Sequence, residues 1–451
     1  MKLKTTARIL AALLCVAIAS SMASTPSLPS FPGAEGYGAV SVGGRGGRVI
    51  KVTNLNASGP GSLQAACAEP GPRIVVFTVG GVIRGDVAIA HSNITIAGQS
   101  APLPGITIVG RLLARPIQEE RLHDIVVRHL RIRPSPTTGV DGDAIQLPMS
   151  DRIMLDHLSL AWANDEMIDI IYSSEVSVQW STIEESDDSG HAKGSGHNFA
   201  ILSAYPGSGK VSIHHNLFAH HSRRLPSVSP QVEASPADFR NNVIYNFKDG
   251  LSHEGHRPRA PINIVANYYK RGPNAKTLYP FNFDDAGQYY VSDNYFEDLG
   301  IIGDPRAGGI SLPSWIRSGY SGTVLSKPAS VAPVKTGTAQ EAYREVLSRA
   351  GAWPRDRITL RTLDELRTGG GKWGRNAPTV PDDGWFLAGL THAVKDADRD
   401  NDGMADAWER SHGLNSANSQ DYLRQMPSGY SAIEEYLNHR ASELLMKGRR
   451  K

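Results

Sequence analysis

The sequence predicts an all-β fold, a parallel β-helix followed by a small helical extension, and four observations carry that expectation. From about residue 74 to 296, short β-branched or aromatic runs alternate with polar turns. The lead apolar residues Ile125, Ile153, Val176, Val211, Phe239, Ile262 and Tyr289 follow one another at 28, 23, 35, 28, 23 and 27 residues, which suits one coil per repeat with the excess looped out on one side. Asn216, Asn242, Asn267 and Asn294 recur at equivalent places, so stacking would place them in a hydrogen-bonded ladder inside a turn. Finally, 451 residues exceed one ordinary core, unless an elongated repeat adds core with each unit.

The elements follow in chain order. Residues 1–23, MKLKTTARILAALLCVAIASSMA, combine a basic start, an apolar stretch and a small-residue cleavage site, the pattern of an export signal. Removing it takes away Cys15 and leaves Cys67 without a disulfide partner, so an exported chain needs another staple, and metal ions are the obvious candidate. Residues 24–300 hold the coils. Residues 301–390 read as covering loops, a helix and a linker. The helix shows Ala339, Ala342, Tyr343, Val346, Leu347 and Ala350 on one face and stops at Gly351. Residues 391–451 form a C-terminal segment with its own motif.

That motif is DRDNDGMADAWE (398–409), which fits D-x-D-x-D-G-x5-E at every position. Asp398, Asp400 and Asp402 would offer side-chain oxygens, Gly403 the sharp turn, Met404 its carbonyl, Asp406 a ligand or water contact, and Glu409 a bidentate carboxylate. No amphipathic helix clearly precedes the loop, so the expected role is a structural calcium clamp, not a sensor.

Two further acidic stretches sit inside the coils. VDGDAIQL (140–147) carries Asp141 and Asp143, and NDEMIDI one coil later carries Asp165 and Asp169 four apart. Stacked coils would let Asp143 and the later pair converge into an oxygen-rich calcium site. Lys and Arg (47) nearly balance Asp and Glu (45), so nothing global points to nucleic acid or an anionic membrane, and no stretch after the N-terminus is long and apolar enough to span a bilayer.

FPGAEGYG (31–38), ITIAGQSAPLPGITI (94–108), DGDAIQL (141–147), MLDHLSLAW (154–162), DEMIDI (165–170), VSVQWS (176–181) and HHNLFAHHSRRLP (214–226) together resemble the pectate lyases, family 1 of the polysaccharide lyases. The resemblance runs in order over about residues 30–300. It implies a right-handed, pectin-lyase-like parallel β-helix and calcium-dependent β-elimination of polygalacturonate. By motif it makes Asp143 a calcium ligand, with Asp141 a second, and Asp165 and Asp169 the acidic pair before the next strand. Arg224 matches the arginine that takes the C5 proton, and Lys193 in GHAKGSGHN a lysine that binds a substrate carboxylate. Ser229 stands where the family commonly repeats an arginine, so a second carboxylate contact must come from Arg223, Arg257 or Arg259 if it exists. The expected partner is a uronate polysaccharide, the expected state a monomer, and the expected location outside the cell or in the periplasm.

Two other functions fit some of the same residues. A polygalacturonase-type hydrolase shares the architecture and needs an acid and a base flanking a water, and SDDSGH offers an Asp pair near a His, but that family's Asn-Thr-Asp and Arg-Ile-Lys signatures are absent. A glycan-binding β-helix would keep the fold without needing Arg224. The histidines His191, His197, His214, His215, His220 and His221 show no paired zinc spacing and are expected in strands or turns.

Overall fold

The structure is a computed structural model describing residues 28–117, 121–134, 142–187, 191–194, 196–253, 256–274, 279–298, 300–302, 322–374, 377–378 and 381–448. The expected export signal (1–23) and Asp141 lie outside them, as does most of the Gly, Ser, Pro stretch after residue 302.

The expected β-helix is present. Each coil contributes one strand to each of up to three sheets, and neighbouring coils pair in parallel. The first sheet has eleven strands, from Arg48–Val52 through Ser150–Asp156 to Gln288–Ser292 and Thr323–Val324. Ten strands form the second, from Gly81–Arg84 to Gly300–Ile302, the last pairing antiparallel to Asn294–Phe296. A third, six-stranded sheet runs from Val87–Ile89 through Ile145–Gln146, Glu166–Asp169 and Phe199–Ser203 to Ser227–Val228. The solenoid therefore begins before the repeat legible at residue 74, and it continues past 300 through Thr323–Val324.

Inward-facing aliphatic rows fill the tube. Ile94, Ile125, Ile153, Val176, Val211, Ala237, Ile262 and Tyr289 are successive register partners, and all are buried in one continuous core. Phe239 does not hold the lead place: it pairs with Ile213, and Ala237 pairs with Val211. A two-residue displacement keeps the same face of a strand inward, so apolar alternation alone does not detect it.

The corner between the first and second sheets shows how the coils are locked. His129, His157, Trp180, His215, Asn241, Ala266 and Asp293 all have φ between 50 and 58°, a left-handed conformation that L residues adopt at a cost of roughly 1–2 kcal/mol each. Two stacks offset that cost. Outside the turn the rings of His129, His157, Trp180 and His215 lie over one another. Inside it, the next residue in each later coil belongs to the expected ladder: Asn216 Nδ2 donates to Asn242 Oδ1 at 3.0 Å, Asn242 to Asn267 at 3.0 Å, and Asn267 to Asn294 at 2.9 Å. Each asparagine is fully buried, and its Nδ2 also donates to a backbone carbonyl of the preceding coil.

The outer faces of two sheets are covered. Helix Ala339–Arg349, with a Thr338–Glu341 capping box, and helix Arg357–Thr368, capped by Asp356, pack Val346, Leu347, Leu363 and Leu366 on Leu217, Val243 and Tyr245 of the second sheet. The C-terminal helix Ala432–Gly448 sets Ile433, Tyr436 and Leu437 against Ile74, Val76 and Ala97 on the first sheet's side. Among the described residues, none of these outer apolar clusters includes a residue of a third-sheet strand. The third sheet is thus the side left to polar work.

Candidate active site

Parallel stacking turns a chain-distant set of residues into a column at the start of the third-sheet strands. Asp143, just before strand Ile145–Gln146, accepts the Glu166 backbone N–H with Oδ1 at 3.0 Å and Gln146 Nε2 with Oδ2 at 3.0 Å. Glu166 opens the next strand and registers with Phe199 one coil on, which in turn bridges to Arg223. Arg224 follows, with φ 60°, its guanidinium 4.1 Å from the Phe199 ring centroid and ion-paired to Glu166. Asp169, at the far end of the Glu166 strand, lies in register with Gln146 and accepts the Ile171 N–H at 3.1 Å.

The site is acidic and mostly dry. Asp143, Asp165 and Glu166 each bring a carboxylate oxygen within 4.8 Å of the others. Asp143, Glu166 and Asp169 are buried, whereas the Asp165 side chain keeps 24% of its surface. Burial first, and neighbouring acids second, push the carboxyls of Asp143 and Asp169 well above the usual range; Arg111 and Arg224 pull Asp143 the other way. Carboxylates crowded this way favour a hard cation bound among them, and an all-oxygen donor set fits calcium. Asp143, Asp165 and Glu166, with Asp169 beside them, are the residues that would hold it.

The remaining expected residues are placed less centrally. The backbone N–H of Lys193 donates to His191 Nδ1 at 3.0 Å, and its side chain is exposed. His191 and His197 stack with centroids 3.4 Å apart and each approaches an Asp165 oxygen at 3.5 Å, so this segment is anchored at the acidic cluster. His214, His220 and His221 are fully buried in the solenoid wall and His215 nearly so, as turn and strand histidines. Arg223 approaches Asp249 at 3.8 Å and lies over Phe199 at 5.8 Å. Ser229 is fully buried next to His253, so that position does not reach the surface. Arg257 pairs with Asp285 at 3.0 Å and is largely exposed, and Arg259 is also exposed.

Sequence reasoning passed over Glu166, Phe199 and Arg111. Glu166 was hidden by its neighbour in NDEMIDI, because only the strand's phase tells which acid turns toward Arg224. Phe199 carries no signal of its own in HNFAILS. Arg111, bonded to Asp86 through Nε and Nη2, faces Asp143 from the preceding coil.

No protein-family model matches the chain. It is similar to the probable pectate lyase C of Aspergillus fumigatus, 32% identical over 442 residues that cover 95% of this chain and 98% of that protein. The probable pectate lyase C of Neosartorya fischeri is likewise 32% identical, over 95% and 98% of the two chains. Among solved structures, the major cedar-pollen allergen Jun a 1 superposes with a TM-score of 0.50 at 14% identity, over 71% of this chain and 92% of that one, which supports the fold alone. Identity sustained over nearly the whole length, on a parallel β-helix, places this chain among the pectate lyases, family 1 of the polysaccharide lyases.

Proposed function

We propose that the enzyme is exported and, as a monomer, cleaves α-1,4-linked polygalacturonate by calcium-dependent β-elimination, leaving 4,5-unsaturated oligogalacturonides. The observation that carries this reading is the convergence of Asp143, Asp165 and Glu166 beside Arg224 at the third sheet, whose strands enter none of the outer apolar clusters among the described residues.

Elimination requires removal of the uronate C5 proton, which adds negative charge next to an existing carboxylate. Asp143, Asp165, Glu166 and Asp169 would hold a calcium ion here, and such an ion would supply the positive charge that lowers the cost of the developing enolate. Arg224 is the group set to take the proton. Phe199 holds its guanidinium plane and shields one face from water. Glu166 grips the guanidinium and favours its protonated form, so Arg224 can act as a base only when positive charge nearby offsets that carboxylate. Lys193 and Arg223 are the cations assigned to a substrate carboxylate, and Asp141 belongs to the same acidic stretch as Asp143.

The test is the ultraviolet absorbance of polygalacturonate incubated with the purified enzyme and calcium, repeated with a chelator. Absorbance from a new C4–C5 double bond that disappears on chelation is the expected result. Absorbance that survives exhaustive chelation would remove calcium from the mechanism, and reducing ends without absorbance would remove elimination.

A further inference from the structure

A second group of acids lies in the C-terminal segment, independent of the lyase reading. Asp400, Asp402, Glu409 and Asp421 each bring a carboxylate oxygen within 4.8 Å of the others. Glu409 is fully buried and Asp402 is 3% exposed. Neither Glu409 oxygen has a hydrogen-bond partner among the described residues, and the same holds for the buried Asp400 Oδ2, Asp402 Oδ2 and Asp421 Oδ1. A buried carboxylate oxygen without a partner is strongly destabilising, and here several converge on one point. Among the described residues no salt bridge reaches these four acids: Lys395 and Lys51 lie at 2.9 and 3.8 Å from Asp398 Oδ2, outside the group.

We propose that a calcium ion is bound by Asp400, Asp402, Glu409 and Asp421, and that it fastens the C-terminal helix to the first coils of the solenoid. The ligand set differs from the one the linear motif suggests. Asp406 Oδ1 is engaged by the Arg399 N–H at 2.8 Å, and Asp421 comes from a separate turn, Asp421–Leu423, beyond the loop. An ion shared between loop and turn therefore closes the chain segment that leads directly into the helix. Both ends of that segment are seated on the solenoid. Lys51 Nζ donates to the Asn401 carbonyl at 2.8 Å and to its Oδ1 at 2.7 Å. Gly403, with φ 99°, approaches so closely that a Cβ there would lie 2.9 Å from Val49 Cγ1. Met404 and Trp408 pack with Ile433, Tyr436 and Leu437 on Ile74, Val76 and Ala97. All-oxygen, carboxylate-rich coordination selects a hard divalent ion of calcium's size.

The experiment uses the full chain carrying Asp143→Asn, so that the lyase cluster is impaired and calcium effects report on the second site. Calcium should raise Tm by about 5 °C when well above its dissociation constant, and chelation should open the 410–420 stretch between the loop and the Asp421 turn to limited proteolysis. Adding Asp421→Asn should abolish both effects and leave the Tm of the chelated parent, whereas adding Asp406→Asn should preserve them. Terbium emission sensitised by Trp408 gives a readout that does not depend on stability, expected in the Asp143→Asn chain and lost with Glu409→Gln. A calcium-insensitive Tm together with no terbium emission would overturn the proposal. An unchanged response in Asp421→Asn would overturn the ligand set.

Discussion

The two acidic groups of this molecule use the same side chains for opposite ends. On the third sheet, Asp143 accepts two hydrogen bonds, Glu166 grips Arg224, and Asp165 stays partly open to solvent. In the C-terminal segment one oxygen each of Asp400, Asp402 and Asp421 and both of Glu409 are buried without a hydrogen-bond partner among the described residues, while Asp402 Oδ1 and Asp421 Oδ2 accept the Met404 and Asn415 N–H groups. A group that already has protein partners and an open edge can share an ion with a substrate. One whose remaining buried oxygens converge without a donor is completed by the ion itself. On the two proposals, the number of orphaned oxygens, rather than the number of acids, separates a working site from a fastening.

The largest effect that would test this contrast is on catalysis. Arg224→Ala should lower kcat/KM by about 10²–10⁴-fold in steady-state assays on protein whose cooperative melting shows it folded. Activity within tenfold of the parent would remove Arg224 as the base. Next, Asp143→Asn should raise the calcium needed for half-maximal activity by about 10–100-fold, read by titrating activity in calcium buffers. Because it removes a buried charge that its neighbours repel, the chelated variant should melt no lower than the chelated parent. A variant that keeps the parent's calcium requirement would detach Asp143 from the working site.

Smaller effects belong to the wall that both groups are built on. Asn242→Ala leaves the Asn216 amide and the Asn267 carbonyl oxygen short of a buried partner and should cost about 3 kcal/mol in denaturant unfolding without changing the calcium titration. If calcium affinity shifted with it, the wall and the sites would not be separable. Acid should act on the wall too. Burial holds His214 and His253 neutral, with pKa values of about 4, while the unfolded chain protonates near 6.5. Between those values the unfolded state binds more protons, so stability should fall as pH drops from 6.5 to 4. Because the raised carboxyls of Asp143 and Asp169 act in the opposite direction over the same range, the readout is the difference between two melting profiles in chelator: His253→Gln should lose less stability than the parent as pH falls, and parallel profiles would contradict the burial argument.

Much of the fold was legible because a solenoid repeats its physics. The Asn216 to Asn294 phase, the strand runs and the helix ending at Gly351 each follow from local pattern and chain spacing. Legibility failed where a choice depends on the neighbouring coil. Phe239 was assigned two residues out of place because its strand face is the same either way. Helix Arg357–Thr368 was not anticipated, and it takes its place from apolar contacts with the second sheet. The sites divide in the same manner. Asp143, Asp165 and Arg224 were readable from motif, but Glu166, the partner of Arg224, was not. Asp400, Asp402 and Glu409 were readable from their spacing, but Asp421, a dozen residues beyond Glu409, was not.

By itself, the sequence determined that this chain winds into coils and that acids recur at a fixed phase on them, since alternation and turn chemistry act between residues close in the chain. Only the tertiary structure decided which acids meet, which keep an open edge and which lose every donor, because those outcomes depend on register between coils and on what packs over each sheet.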